Sequence, residues 1–175
     1  MSTRPVRYEL HIRPLIRLLD RDNMAWAFDL WDYDQTRANA DAILRRAAAD
    51  MPPVAYGGPW PEEWLALFQR WKDEGFQRLD IGVADAPGYT ARRNGDTVTI
   101  TARGTAPTPG YRAWLDVIAH EGQPREYIHY WEPPAEAQPA APTPFRVKAV
   151  LKAPESLTEI AVVDRVGRHS IAVSI

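Results

Sequence analysis

The sequence predicts an α+β protein, with a helical unit over residues 1–82 followed by an antiparallel β-sandwich of about seven strands over residues 83–175. Three observations carry this. Apolar residues recur at helical spacing before about residue 80 and at strand spacing after it. "PEEWLALFQRWKDEG" opens on Pro61 and closes on Gly75, the residues that favour a helix start and a helix stop. "YTARRNGDTVTITARG" places Asn94-Gly95 between two strand-like runs, a strong hairpin signal.

Each element has a local reason. Ile12, Leu15, Ile16 and Leu19 form one stripe of a short helix that Pro14 helps to start. Asp34 is the expected cap of the alanine-rich "QTRANADAILRRAAAD", which must stop before Pro52-Pro53. Trp64, Leu67, Phe68 and Trp71 make the expected buried face of the third helix, with Glu62 and Glu63 in its first turn. Beyond the hairpin, "YRAWLDVIA", "REYIHYWEP", "FRVKAVLKA", "EIAVVD" and "HSIAVSI" read as strands separated by Gly, Pro and charged turns. "PPAEAQPAAPTP", residues 133–144, reads as an extended, exposed connection.

Composition narrows the function. Apolar residues make up 45% and charged residues 25% of 175, ordinary globular usage, so the chain can bury a core. A net charge of −2 gives no electrostatic case for nucleic acid or an anionic membrane. The absence of cysteine excludes disulfides, thiolate nucleophiles, Cys-ligated zinc and covalent haem attachment. The first residues are charged, without the apolar core of a signal peptide, and the expected compartment is the cytoplasm.

"IRPLIRLLDRDNM", then Met51-Pro52-Pro53, then "EEWLALFQRWKDEG" together resemble small class-I cytochrome c domains over roughly residues 10–76. The likeness implies a first helix, a distal methionine loop and a closing helix. Asp20-Arg21-Asp22-Asn23-Met24 stands where the family carries Cys-x-x-Cys-His, so the resemblance implies a scaffold without its haem. No cofactor is expected. Met24 and Met51 are the only residues the likeness offers as haem ligands. Trp26, Phe28, Leu30 and Trp31 are expected to fill the haem's volume, because an empty cavity of that size destabilises a core. "PGYRAWL" and "REYIHYWEP" are faintly similar to small immunoglobulin-like β modules.

No catalytic motif stands out. The five aspartates of "DRDNMAWAFDLWDYD" lack the spacing and the glycine of a calcium loop, and are expected as caps and ion-pair partners. His11, His120, His129 and His169 show no metal-ligand spacing, and no metal site is expected. Tyr127, His129 and Trp131 alternate with Ile128 and Tyr130, so both faces of that strand carry bulk: it is expected either to be central in the sandwich or to set one face against another domain or subunit.

The expected function is therefore a non-catalytic accessory or protein-interaction subunit. Its partner would be another protein, an oxidoreductase by the ancestry of the scaffold, or a second copy of itself. The expected contact residues are Trp26, Trp31, Tyr56, Trp60, Tyr127, His129 and Trp131. One alternative is a small enzyme with an acid-base or His/Asp metal site in a cleft between the two halves, using His11, Asp20, Asp22 or His129. A third reading is carriage of a small apolar ligand in the vacated haem cavity, lined by Trp26, Trp31, Trp64 and Met51.

Overall fold

A computed structural model describes residues 4–118 and 126–175. The protein is mixed α+β and divides into two compact units between Leu79 and Asp80. His120 lies outside the described residues. No helix among them is long and apolar enough to cross a membrane.

The helical unit has four α-helices: α1 Leu18–Met24, α2 Tyr33–Ala38, α3 Ala40–Ala49 and α4 Glu62–Asp73. The stripe expected on one first helix is split. Tyr8–Ile12 forms a single π turn, Arg13–Leu15 a 3₁₀ turn, and α1 starts only at Leu18. Ile12, Leu15 and Ile16 are buried, while Leu19 is exposed. Asp32, not Asp34, caps the next helix, its Oδ1 accepting the Gln35 N–H at 2.8 Å. The alanine-rich run breaks at Asn39, whose side-chain amide donates back to the Gln35 carbonyl at 2.8 Å. Two short helices replace one.

The fourth helix matches its expectation closely. Pro61 precedes its first residue, and Gly75 follows its end at φ 80°, a conformation that favours glycine. Phe68 and Trp71 are fully buried, packing with Val6, Tyr8, Ile12 and Ala40. Trp71 donates its indole N–H to the Gln77 carbonyl at 2.8 Å, which also receives the Tyr8 amide at 3.0 Å. The Tyr8 hydroxyl donates to the Leu30 carbonyl at 2.9 Å. These long-range bonds tie the irregular N-terminal turns and the α1–α2 connection to the core.

The second unit holds eight strands: β1 Asp80–Ile81, β2 Tyr89–Asn94, β3 Thr97–Ala106, β4 Arg112–Ile118, β5 Glu126–Glu132, β6 Thr143–Lys152, β7 Glu159–Asp164 and β8 Gly167–Ser174. The expectation here was an antiparallel sandwich. The strands instead join in one hydrogen-bonded path, β1-β5-β7-β8-β2-β3-β6, with β4 also on β5. Two pairings, β5 with β7 and β2 with β8, are parallel. The sheet curls, so that β4 comes near β6.

The hairpin turn sits one residue later than expected. Asn94 pairs with Thr97, leaving Gly95-Asp96 as the two-residue loop, with Gly95 at φ 60°. β5 is central, one of the two placements that its bulky faces allow. β4 runs along one edge while β1 and β7 share the other. Val98, Ile100, Ala102, Ile160 and Val162 are wholly buried and form the heart of this unit.

Candidate ligand pocket of the helical unit

The helical unit contains an apolar pocket of about 540 Å³. Small-molecule sites commonly fall between roughly 300 and 1,000 Å³. One wall comes from the end of α1 and the segment after it, with Met24, Trp26, Phe28 and Leu30. A second comes from α3. Ala42, Ile43, Arg46 and Ala47 lie at i, i+1, i+4 and i+5, one face of a helix. The third is the connection between α3 and α4, with Met51, Pro52, Tyr56 and Trp60.

Three local features keep this pocket open. Ala42 and Ala47 offer only a methyl group each, so α3 does not fill the space its face encloses. Gly58 lets the connection fold tightly, since a Cβ there would stand 1.8 Å from the Pro52 carbonyl oxygen. Arg17 anchors the same connection by donating to the Tyr56 carbonyl at 2.5 Å.

The pocket's two charged residues differ in how they are held. Asp20 is saturated: Arg17 donates to Oδ1 from Nη2 and to Oδ2 from Nε, both at 2.8 Å, and its backbone N–H adds a third bond. Arg46 has only a looser ion pair, Nη1 to Asp50 Oδ2 at 3.4 Å, with both side chains more than half exposed.

The sheet unit holds a buried polar chain. His129 is 0% exposed. The Trp131 indole N–H can only donate, so His129 Nε2, 3.1 Å away, accepts and its proton sits on Nδ1. That proton goes to the Tyr89 hydroxyl at 2.9 Å, which in turn donates to Asp164 Oδ2 at 2.9 Å. His169 Nε2 stands 2.9 Å from Asp164 Oδ1, within ion-pair distance but out of line for a hydrogen bond. Asp164 Oδ1 also accepts the Val166 and Gly167 amides, closing the β7–β8 turn.

The electrostatics follow from this enclosure. Burial pushes His129 down to about 4, against the opposing pull of Asp164. Burial first, then Asp164, push the Tyr89 hydroxyl well above its ordinary value. Burial pushes Asp164 up, but the His169 ring, the two turn amides and the Tyr89 hydroxyl outweigh it and hold it low. A neutral imidazole, a protonated phenol and an ionised carboxylate form a satisfied structural chain.

The sequence-derived candidates separate into distinct places. Met24, Met51, Trp26, Tyr56 and Trp60 all line the one pocket. Trp31 does not: its indole N–H donates to the Ile16 carbonyl at 2.9 Å and Arg21 lies over its ring. Trp64 packs edge-on against Trp60. Trp26, expected as filling, is 85% exposed at the rim, so the space stays open. Tyr127, His129 and Trp131 are buried in the sheet unit.

The residues of the enzyme reading each sit in a different local setting. His11 Nδ1 accepts the Arg7 amide at 2.8 Å, Asp20 belongs to Arg17, and Asp22 is exposed on α1. His129 is enclosed in its own chain. Among the described residues no group of three or more His, Asp or Glu side chains is placed to hold a metal ion.

The contribution of α3 escaped the sequence reading, which treated its alanines as helix formers only. The i, i+1, i+4, i+5 set of Ala42, Ile43, Arg46 and Ala47 is the signal that was available. No protein-family model, curated protein or solved structure matches this chain.

Proposed function

We propose that the protein is a non-catalytic binding module whose working site is the pocket of the helical unit, taking a small apolar molecule. One observation carries this reading: about 540 Å³ of space walled by thioether, aromatic and aliphatic side chains, with its only acid neutralised by Arg17. An apolar body entering such a site gains roughly 25 cal/mol per Å² removed from water. Among the described residues no histidine lines the pocket, and no group of three or more His, Asp or Glu side chains is placed to hold a metal ion.

The test is titration with N-phenyl-1-naphthylamine, a neutral dye that brightens in apolar surroundings. Saturable binding is expected, with energy transfer from Trp26 and Trp60, and Met51→Ser and Phe28→Ser should weaken it. A linear, unsaturable response in the folded protein would exclude the reading.

The cytochrome-c-like ancestry is retained as part of this proposal. It is supported by Met24 and Met51 meeting at one pocket, as the likeness implies. The residues present do not fit covalently held haem, since the chain has no cysteine and no histidine lines the pocket. The scaffold is read as haem-free, its pocket turned to another occupant.

Exposure at the rim favours a second reading, an accessory subunit that seats a partner protein there, an oxidoreductase by the scaffold's ancestry or a second copy. Trp26 at 85% and Tyr56 at 53% are left in water on the pocket walls. Exposed apolar clusters of this kind mark interaction surfaces. Light scattering across a concentration series tests self-association, and Trp26→Ser should abolish any dimer found.

A further inference from the structure

We propose that the ligand of this pocket is a monoanionic amphiphile, with its apolar body between the walls and its carboxylate on Arg46. The inference rests on reading the pocket as a ligand site and adds the chemistry of the head group.

The argument begins with what each charged residue has left to offer. Both oxygens of Asp20 are occupied by Arg17, so Asp20 presents a neutralised pair rather than a free anion. Arg46 presents a guanidinium whose one ion pair is long, 3.4 Å, to a carboxylate four residues along the same helix. Exposed i,i+4 pairs are worth only about 0.3–0.5 kcal/mol, so a ligand carboxylate displaces Asp50 at little cost. The planar guanidinium can then take both carboxylate oxygens in a fork, a geometry Asp50 does not reach here.

The position of Arg46 strengthens the case. It sits on the same face of α3 as Ala42, Ile43 and Ala47, so the cation borders the apolar floor directly. Its neighbours on the pocket wall, Met51 and Pro53, are exposed, so a head group held by Arg46 stays hydrated. A cationic head would find no free carboxylate among these walls. An uncharged molecule would gain the apolar contacts and leave Arg46 unused.

Two probes with the same body separate the claims: dodecanoate and dodecanol, each titrated below its aggregation limit at low salt with tryptophan fluorescence as the readout. Dodecanoate should bind roughly two- to fivefold more tightly, the worth of an exposed charge pair. Arg46→Gln should bring the two affinities together, Arg46→Lys should keep part of the difference, and Asp50→Asn should widen it. Circular dichroism establishes that each variant is folded. Equal affinities in the unmodified protein, or a difference that persists in Arg46→Gln, overturn the anion assignment and leave the apolar pocket standing. If neither probe binds and N-phenyl-1-naphthylamine also fails, the pocket reading and the inference fall together.

Discussion

The Tyr89 hydroxyl stands 2.9 Å from His129 Nδ1, and it is the one group that joins the buried imidazole to the Asp164 carboxylate. Its two bonds run in a fixed direction, because Trp131 commits the other ring nitrogen to accepting. Tyr89→Phe therefore strands an imidazole N–H and removes a donor from a buried carboxylate at once. Each unsatisfied buried group costs about 1–3 kcal/mol. Urea denaturation of the variant should show a loss of at least about 2 kcal/mol with an unchanged m value. A loss under half a kcal/mol means that water or a rearranged ring replaces the hydroxyl.

The same chain makes stability depend on pH. The folded protein holds His129 at about 4, against roughly 6.5 in an unfolded chain. Between those values the unfolded state binds the proton and the folded state does not, so stability falls as pH drops through that window. The full loss is on the order of 3 kcal/mol. Asp164, held low when folded, adds a second loss at lower pH. Its contribution is complete above about 3.9 and disappears as pH falls through its folded value. Thermal unfolding measured from pH 7 to 4 should show a falling Tm, and His129→Gln should flatten the slope. A flat profile in the unmodified protein contradicts the buried neutral imidazole.

Much of this was legible in the sequence where local chemistry and packing agree. The bracketed fourth helix and the tight hairpin each follow from spacing and turn residues, and the central position of β5 is one of two that its spacing allows. The first helix was misjudged because Tyr8, tied to Gln77 and Leu30, holds Tyr8–Ile12 in a π turn that propensity alone does not foresee. The sheet was misjudged for a different reason: parallel pairing between β5 and β7 joins segments far apart in sequence, and strand-length patterns carry no information on partners. Met24 and Met51 line one pocket. Their surroundings depend on the small side chains of α3, which look like helix propensity in one dimension and like empty space in three.

Gly58 should be intolerant of any side chain. A Cβ would lie 1.8 Å from the Pro52 carbonyl oxygen and 2.8 Å from its Cδ, contacts that backbone atoms cannot relieve without moving the connection. Pro52 lines the pocket, so the displacement reaches the site directly. Gly58→Ala is expected to weaken N-phenyl-1-naphthylamine binding at least about tenfold, while the far-ultraviolet circular dichroism of α4 and the sheet persists. Unchanged dye affinity in that variant would show that the loop's conformation does not shape the pocket.

Two tryptophans of the helical unit should behave in opposite ways. Trp71 is 0% exposed, donates to the Gln77 carbonyl at 2.8 Å, and packs its ring against Tyr8, Phe68 and Phe76. Truncating it leaves a cavity and takes one of two donors from the Gln77 carbonyl, which keeps the Tyr8 amide, a cost of about 3–5 kcal/mol for a buried aromatic. Trp26 has almost nothing to lose: its ring is in water at the pocket rim, and exposed substitutions usually fall within about half a kcal/mol. Trp71→Ala should melt the helical unit at a much lower temperature, followed as loss of near-ultraviolet aromatic ellipticity. Trp26→Ala should leave that transition in place and diminish only the binding signal. If Trp26→Ala destabilises the fold as strongly as Trp71→Ala, Trp26 is a packed residue after all, and the open pocket mouth on which the binding reading depends is lost.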